Sequence, residues 1–341
     1  MHDKYFLWGA GSVGTRALSY LVNLNCIIGV IDSDSNKWGK SINGLKIYNY
    51  EEIKTSLNNI GIIIAYFGSK ETEELLSKDG RSFIKLSEFI TEYYWEKLNQ
   101  SAIGFLDFPV TTNCTLMCKY CMQYIPYRIK EDVSLDALKN ELKILLNKVA
   151  FIGEISIIGG EPFLYKQLSD LLLFIKDNYY NQIGSFVITT NGTIIPEKKV
   201  LDLCKTINAY ISISDYSEIL PELDSKITKL EAAARQIGIS IERKRWFWVD
   251  PGRFDKTNDV VDCTLTHMQL SKQRLWKCSL MAAGYHANYC NAVEGQDYYD
   301  LVNNDSITIR DLMVYKGIER TSQCKKCLYP TAMAIPSAEQ C

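Results

Sequence analysis

Hydrophobic residues recur along the chain in short runs that alternate with stretches of helical spacing. Near the start, the apolar run Tyr5–Trp8 leads into a glycine turn and a helical pattern that extends to about Asn23. Two further apolar runs, CIIGVIDSD and GIIIAYFG, flank a helix-like stretch at residues 51–57. Alternating strands and helices are typical of a parallel sheet covered by helices. We therefore expect a small doubly wound α/β domain over residues 1–98.

A second series of alternating elements begins at residue 105. Five strand-like segments, FLDFPVTT, EISIIGG, SFVITT, AYISISD and ISIERKR, are separated by amphipathic stretches at 134–148, 167–178, 198–205 and 225–236. Such units connect through right-handed crossovers, and five of them suit an open partial barrel over residues 99–249. Beyond it the periodicity weakens, and Gly, Asn, Asp and Cys become frequent. We expect residues 250–341 to form a small module in which metal ligation replaces a hydrophobic core.

Composition and charge narrow the class of protein. The chain has 341 residues, of which 47% are apolar and 23% charged, as in an ordinary globular protein. Its formal charge of -2 gives no electrostatic footprint for nucleic acid or a membrane surface. No apolar run reaches the roughly 18 residues of a spanning helix, and the first strand begins too early to leave room for a signal peptide. We expect a cytoplasmic protein that acts on a small-molecule or peptide substrate.

The chain contains eleven cysteines, and seven of them fall into two groups. In a reducing compartment, clustered thiols are more often metal ligands than disulfides. Cys114, Cys118 and Cys121 form a C-x3-C-x2-C loop directly after a predicted strand. Three thiolates on one loop can hold three irons of a [4Fe-4S] cluster and leave the fourth iron open. A structural zinc loop is the alternative, although zinc sites more commonly use C-x2-C pairs.

With Tyr120 before its last cysteine, this loop resembles the hallmark of the radical S-adenosylmethionine (SAM) superfamily. Further motifs of that family follow at the ends of successive strands, where barrel enzymes carry their chemistry. The resemblance spans about 105–245 and implies that a glycine edge and a glutamate receive the amino group of SAM, while later residues contact its ribose and carboxylate. The residues concerned are Gly159, Gly160, Glu161, Pro162, Thr190, Asn191, Ser212, Ser214 and Arg243.

The resemblance also implies the reaction class. A reduced [4Fe-4S] cluster, supplied with an electron by a donor such as flavodoxin or ferredoxin, cleaves SAM to methionine and a 5′-deoxyadenosyl radical. That radical takes a hydrogen atom from the substrate. The protein's part is to orient the target C–H bond and to exclude water.

A second set of thiols lies in the last third of the chain: Cys263, Cys278, Cys324 and Cys327. Four thiolates suit either zinc or a fully ligated cluster. The arrangement resembles the twitch module, a short relative of the SPASM domain that holds an auxiliary [4Fe-4S] cluster, although Gln273 stands where that family usually has glycine. Cys290 has three interpretations: a hydrogen donor to a substrate radical, a replacement for Cys263 or Cys278, or a packing residue.

The glycines of GAGSVG, which are Gly9, Gly11 and Gly14, lie between a strand and a helix, and Asp32 follows the second strand. This is the context of the dinucleotide-binding fingerprint. The segment resembles the Rossmann-like domains that accompany sugar-modifying enzymes. It is too short for a complete two-half fold, so bound NAD, a nucleotide or nucleotide-linked ligand, and a scaffold role all stay open.

Together these features predict an α/β radical SAM oxidoreductase of the dehydrogenase or epimerase type. A substrate radical beside a closed cluster can lose its electron to that cluster, which favours oxidation. The expected substrate is a sugar, a cyclitol or a nucleotide-linked metabolite. The main alternative is a SPASM-type peptide maturase that modifies a ribosomal precursor peptide, and a cluster-stapled binding protein without activity is the third.

Overall fold

The computed structural model describes residues 1–66, 69–245, 248–257, 263, 265, 267–303 and 321–341. The chain divides into two compact units. The first comprises Met1–Gly104 with Phe151–Gly153, and the second comprises Phe105–Ala150 with Glu154–Cys341. The predicted domain of residues 1–98 lies within the first unit. Most of 99–249 and all of 250–341 lie in the second, so the proposed boundary near residue 250 stays a prediction.

The first unit is a six-stranded sheet with four helices. Its strands follow the order β3-β4-β2-β1-β5-β6, and every neighbour pair is parallel except β3 with β4. The strands are β1 Tyr5–Trp8, β2 Ile27–Ile31, β3 Ser41–Ile42, β4 Leu45–Tyr48, β5 Gly61–Ile64 and β6 Phe83–Lys85. The helices are α1 Ser12–Leu21, α2 Tyr50–Ile53, α3 Lys70–Lys78 and α4 Leu86–Leu98. Because β2 and β5 flank β1, the sheet is doubly wound about its first strand.

The turn between β1 and α1 depends on two glycines. Gly9 has φ +116°, a backbone conformation that residues other than glycine rarely adopt. A Cβ on Gly14 would lie 1.8 Å from the carbonyl oxygen of Gly9, so only glycine lets the helix start this close to the strand. By contrast, a Cβ on Gly11 would meet nothing within 4 Å.

The second unit contains an eight-stranded sheet in the order β11-β10-β9-β8-β7-β13-β14-β15, and a two-stranded sheet of β12 and β16. Strands β8 to β11 are mutually parallel, β13 is parallel to β7, and β14 is antiparallel to both β13 and β15. The strands are β7 Ala102–Thr111, β8 Phe151–Gly159, β9 Phe186–Thr190, β10 Tyr210–Ser214, β11 Ser240–Lys244, β12 Trp248–Val249, β13 Met268–Ser271, β14 Arg274–Trp276, β15 Tyr298–Asp300 and β16 Ala334–Ile335. The helices are α5 Leu135–Lys148, α6 Leu168–Tyr179, α7 Lys198–Thr206, α8 Leu223–Ile237 and α9 Ser279–His286.

Helices α5 to α8 agree with the amphipathic stretches of the sequence to within two residues. The start of α5 shows why. The Ser134 hydroxyl accepts a hydrogen bond from the Ala137 N–H at 3.3 Å, and Leu138, Leu142 and Leu145 then bury one helical face. The mixed α/β architecture of the prediction is therefore confirmed.

The structure corrects the expectation that metal ligation replaces a core in the last part of the chain. Trp276, Leu280 and Met281 are at most 2% exposed and belong to one apolar cluster. Helix α9 reads SLMAAGYH and is buried along most of its length. Its apolar residues lack an amphipathic period because several sides of the helix are covered, and the sequence signal was missed for that reason.

Among the described residues, none of the helices combines the length and the apolar character needed to cross a lipid bilayer.

The glycine turn of the first unit yields a matched pair of substitutions. Gly14→Ala should lower the free energy of unfolding by about 1–3 kcal/mol, because the added methyl group overlaps the Gly9 carbonyl. Gly11→Ala should change it by less than about 1 kcal/mol, because that position is open. Chemical denaturation followed by circular dichroism measures both. Equal effects of the two variants would contradict the packing argument.

Candidate functional site

The three-cysteine loop follows β7 and presents its sulfur atoms to hydrogen-bond donors. The Cys114 Sγ accepts from the Leu116 N–H at 3.4 Å and from the Asn191 side-chain amide at 3.5 Å. The Cys118 Sγ accepts from the Gln340 amide at 3.5 Å. Backbone N–H groups of residues 123 and 125 donate to Cys121. Donors aimed at sulfur stabilise ligating thiolates, so this donor set fits an iron–sulfur cluster.

Burial changes the acidity of these thiols. It raises the pKa of Cys114 to about 11 and that of Cys118 to about 12, and it also raises the pKa of Cys121. The free thiols are therefore neutral at physiological pH. Because a bound iron draws off the thiol proton, loading of this loop releases protons.

Within the described ranges, no three His, Cys, Asp or Glu side chains are spaced to hold a single metal ion. A four-iron cluster spreads its thiolates around a cube rather than around one ion, so it needs a wider spacing.

Glu161 lies at the centre of a buried network beside the loop. Its carboxylate accepts hydrogen bonds from the Thr190 hydroxyl at 2.8 Å, the Asn191 N–H at 2.8 Å and the Phe163 N–H at 3.0 Å. Burial raises its pKa to about 7, while these hydrogen bonds oppose that rise. Asn191 also donates to Cys114, so one connected set of polar groups joins the ends of β8 and β9 to the cysteine loop.

The glycines before Glu161 allow β8 to approach the start of the loop. A Cβ on Gly159 would lie 2.3 Å from the Thr111 carbonyl oxygen, and one on Gly160 would lie 2.2 Å from that of Asn113. The Gly160 and Glu161 N–H groups donate to these same two carbonyls. Pro162 follows in a short 3-10 turn. The GGEP segment is thus fastened to the loop by its backbone.

One face of the large sheet, which we call the polar face, carries polar side chains that are all buried except the half-buried Thr189: Asp107, Glu154, Ser156, Thr189, Ser212, Ser214, Gln269 and Ser271. Register supports this grouping, because Thr189 pairs with Ser212 and Asp107 pairs with Gln269. The Ser156 and Thr189 hydroxyls lie 3.3 Å apart, and the His267 Nδ1 lies 3.0 Å from the Asp107 Oδ1. The predicted Ser212 and Ser214 are 4% and 7% exposed on this face.

Arg243 lies on the opposite face of the sheet. It pairs in register with Ile213, and its guanidinium donates to Glu231 at 2.9 Å and to Asp224 at 2.6 Å. The structure therefore does not bring Arg243 together with the other predicted SAM contacts. Lys244, one residue later, is the cation that pairs in register with Ser214.

Several polar groups of the second unit were not predicted from the sequence. Tyr216 continues the two-residue period of Ser212 and Ser214, interacts with all three loop cysteines, and has its pKa raised by burial. The pair of Asp107 with His267 is a second example. For His267, burial opposes protonation, but Asp107 and Glu154 outweigh it and raise the pKa. Strand alternation was the signal that could have located both. Tyr120 is half-buried beside Cys121, with the Lys119 ammonium 5.3 Å from its ring centre.

Comparison with known proteins bears on this geometry. Residues 108–227 match the family model described as "Radical SAM superfamily", and residues 1–77 match "C2185-like, N-terminal". The first match contains the cysteine loop and three further segments that hold predicted SAM contacts: GGEP at 159–162, TTNG at 189–192 and SIS at 212–214. The chain therefore contains a radical SAM domain over residues 108–227. A [4Fe-4S] cluster and SAM are accordingly the cofactors of its radical SAM domain.

Relatives of the radical SAM domain are similar over part of the chain. A GTP 3′,8-cyclase of Campylobacter jejuni (strain RM1221) is 38% identical over 100 residues, which are 28% of this chain and 29% of that protein. The chain therefore spans less than a third of that curated relative. The solved structure of native anSMEcpe with bound AdoMet and Cp18Cys peptide is 18% identical, with 42% of each chain covered and a TM-score of 0.35. Streptococcus suis SuiB bound to precursor peptide SuiA is 18% identical over 44% of this chain and 34% of that chain, with a TM-score of 0.33.

Outside the radical SAM domain, the structure gathers the second set of thiols. Cys278 interacts electrostatically with Cys263, Cys324 and Cys327, and Cys290 interacts with Cys278 and Cys327. Burial raises the pKa of Cys278, Cys290 and Cys327 to about 12 each. The Thr321 N–H donates to the Cys324 Sγ at 3.2 Å. Five thiols are thus close together, and the ligand set of an auxiliary cluster and the role of Cys290 stay predictions.

The hairpin of β13 and β14 turns at Lys272 and Gln273. These residues have φ of 52° and 60°, as in a two-residue type I′ turn. Glycine suits the second of these positions, whereas Gln273 needs support. Its N–H donates at 3.0 Å to Glu141, a residue of α5 that is 3% exposed. A buried carboxylate therefore stabilises the turn at Gln273, and the predicted likeness to a twitch module stays a prediction.

The glycine loop of the first unit uses Asp32 for its own structure. The Asp32 carboxylate accepts from the Ala10 N–H at 2.6 Å, the Asp34 N–H at 2.8 Å and the Lys37 ammonium at 3.1 Å. Its side chain therefore binds the loop of Gly9, Gly11 and Gly14 to the end of β2. A nucleotide or NAD ligand at this loop stays a prediction.

Glu141 also makes stability depend on pH. Burial raises its pKa from 4.5 to about 7, opposed by the backbone donors of residues 272 and 273. Folding therefore favours the protonated carboxyl, and this contribution is complete below about pH 4.5 and lost as the pH rises through about 7. The contribution is on the order of 3 kcal/mol.

Glu141→Gln keeps an acceptor for the Gln273 N–H but removes this titration. Denaturant unfolding between pH 4.5 and 8 should show a shallower loss of stability in this variant than in the native chain. Glu161 titrates in the same direction and remains in both proteins, so the difference isolates Glu141. As a control, Glu197→Gln changes a side chain that is 75% exposed and should leave the slope unaltered. Identical slopes for Glu141→Gln and the native chain would refute the assignment.

Proposed function

We propose that this radical SAM enzyme abstracts a hydrogen atom from a small polar substrate, such as a sugar, a cyclitol or a nucleotide-linked metabolite, and completes an oxidation or an epimerisation. The observation that carries the proposal is the polar face beside the cysteine loop. Its side chains are buried except for the half-buried Thr189, yet they offer hydroxyl, amide and carboxylate groups. Because burying such groups against an apolar ligand is costly, a substrate rich in hydroxyls is the better match.

Two residues of the polar face, Gln269 and Ser271, belong to a path of hydrogen bonds that begins next to the cysteine loop. The Gln123 side chain, two residues after Cys121, donates to the Ser279 hydroxyl at 3.3 Å, and Ser279 donates to Gln269 at 3.2 Å. Gln269 in turn donates to Ser271 at 3.0 Å. Side chains held in this way are ordered before a ligand arrives, which lowers the entropic cost of binding.

When bound, the cluster and SAM supply a hydrogen-abstracting radical. The residues of the chain have other tasks in the proposal. Glu161 and Asn191 hold the end of β9 against the loop, and the polar face orients the substrate hydroxyls. The carboxylate–imidazole pair of Asp107 and His267 can take up the proton that leaves during oxidation of a carbinol.

The second set of thiols favours oxidation of the substrate radical over its reduction by a returned hydrogen atom. A cluster held by Cys263, Cys278, Cys324 and Cys327 would accept the electron that the substrate radical loses. Cys290 lies close to that set and offers the competing outcome. As a hydrogen donor, the Cys290 thiol would return a hydrogen atom to the radical, which gives an epimer and leaves a thiyl radical that one electron from the external donor and one proton must reduce back to the thiol.

Iron content tests the two ligand sets separately. After anaerobic reconstitution, the native chain should contain about eight irons and eight sulfides, as two [4Fe-4S] clusters require. Cys118→Ala and Cys278→Ala should each lose about four irons, and Cys118→Ala should form no 5′-deoxyadenosine. Cys204→Ala is the matched control, because this thiol is fully buried in α7 outside both sets. About four irons with one zinc in the native chain would remove the electron-acceptor argument.

The reaction itself is tested with SAM, a strong reductant and candidate sugars, cyclitols and nucleotide-linked sugars. Substrate-dependent formation of 5′-deoxyadenosine, together with a product lacking two hydrogens, is expected for oxidation. An isomer that has gained solvent deuterium is expected for epimerisation. Modification of a precursor peptide, without turnover of any small molecule, would contradict the proposal and favour the maturase alternative.

A further inference from the structure

A pocket of about 710 Å³ opens beside the β13–β14 hairpin and the end of α9. Its size lies within the roughly 300–1,000 Å³ of typical small-molecule sites. Lys272 and Arg274 line it from the hairpin, and Tyr285, His286 and Tyr289 line it from α9 and the residues that follow. The cationic and aromatic groups of this pocket have no part in the function proposed above.

Arg274 is fixed in place before any ligand arrives. Its guanidinium lies 4.4 Å from the ring centre of Tyr298 and 5.7 Å from that of Tyr285. It also donates to the Tyr285 hydroxyl at 3.3 Å. A guanidinium ordered by aromatic rings loses little further freedom when it binds an anion.

The charges around His286 indicate a positive potential in the pocket. The imidazole Nε2 lies 3.1 Å from the Ser271 hydroxyl. Burial, followed by the charges of Arg128, Lys272 and Arg274, lowers its pKa to about 3. Two carboxylates partly offset these cations: Glu131 forms an ion pair with the Lys272 ammonium at 3.9 Å, and Asp300 acts on Arg274. The charged groups that lower the pKa of His286 are nevertheless all cations.

We propose that this pocket binds the phosphate group of a phosphorylated small molecule. Arg274 presents a rigid fork that matches two phosphate oxygens, and Lys272 adds a second positive charge for the second negative charge of the phosphate. The rings of Tyr285 and Tyr289 offer apolar surface to the carbon skeleton. The inference concerns binding alone and stands whether or not the proposed reaction is correct.

Titration calorimetry of the full chain with ribose 5-phosphate tests the site, with ribose and succinate as the uncharged and carboxylate probes. Ribose 5-phosphate should bind, with an affinity that falls as salt is added. Lys272→Gln should weaken binding about ten-fold, because a charge-assisted hydrogen bond contributes roughly that factor. The Lys272 side chain is 63% exposed, so this change leaves the fold intact.

Two further variants complete the experiment. Arg274→Lys keeps the charge but loses the fork, and it should weaken ribose 5-phosphate more than succinate. Lys199→Gln removes an exposed ammonium at the start of α7 and should have no effect. Failure of ribose 5-phosphate to bind, an unchanged affinity in Lys272→Gln, or equal binding of succinate would each overturn the proposal.

A second, independent inference concerns the segment 338–341, which lies along the cysteine loop. The Lys119 N–H donates to the Glu339 carbonyl at 2.7 Å, and the Cys341 N–H donates to the Met117 carbonyl at 2.8 Å. Between them, Gln340 makes three contacts through its side chain. Its Oε1 accepts from the Met117 N–H at 2.7 Å, and its Nε2 donates to the Ala338 carbonyl at 2.7 Å and to the Cys118 Sγ at 3.5 Å.

We infer that Gln340 sets the reduction potential at the Cys118 loop. A hydrogen bond to a ligating sulfur stabilises the more negative, reduced state, and hydrogen bonding to sulfur is one of the factors that set cluster potentials. The Met117 contact fixes the amide orientation, because the carbonyl end is occupied by a backbone donor. The amide nitrogen is therefore the atom directed at Cys118.

Gln340→Leu removes the amide while keeping a similar volume. In a redox titration followed by electron paramagnetic resonance, the signal that changes on addition of SAM should move to a more negative midpoint potential, at native iron content. Lys119→Gln is the control, because it removes the exposed ammonium that pairs with Glu339 and lies over the Tyr120 ring, while the side-chain contacts of Gln340 are kept. An unchanged potential in Gln340→Leu, or an equal shift in Lys119→Gln, would overturn the inference.

Discussion

Placing three thiols at the ends of the parallel strands is the constraint on which the rest of the second unit depends. The eight-residue loop from Cys114 to Cys121 forms no helix, so other elements must hold it. The ends of β8 and β9 hold it through the Gly160 and Glu161 N–H groups and through Asn191, and the segment 338–341 holds it through backbone hydrogen bonds and Gln340. Asn191 and Gln340 thereby supply donors to Cys114 and Cys118, while Cys121 receives its donors from the backbone of residues 123 and 125.

Two buried carboxylates stabilise backbone segments of the second unit by accepting hydrogen bonds from their N–H groups. Glu161 binds the backbone at the end of β9, and Glu141 binds the turn of the β13–β14 hairpin. In both cases the carboxylate replaces water that the backbone N–H groups would otherwise need. Burial raises the pKa of each carboxyl to about 7. The stability of the fold therefore depends on pH because these two acceptors are buried.

Much of this organisation could be predicted from the sequence because it follows from period and spacing. The strand and helix pattern and the position of the C-x3-C-x2-C loop directly after a strand depend on local signals, and the structure contains both. Arg243 shows where motif order fails. In the strand SIERK, Arg243 shares its parity with Ile241, so alternation alone assigns it to the helix-covered face.

The hairpin and α9 could not be predicted because their stability comes from distant partners. The turn at Lys272 and Gln273 lacks the Asn-Gly signal of a type I′ turn, and it is stabilised by Glu141, more than 130 positions earlier in the chain. Arg274 is likewise ordered by rings from α9 and β15. Non-local contacts of this kind concentrate cations at one end of a module whose chain as a whole is nearly neutral. Net charge therefore gave no indication of an anion site, since the potential that a ligand meets is set by the few charges that the fold brings together.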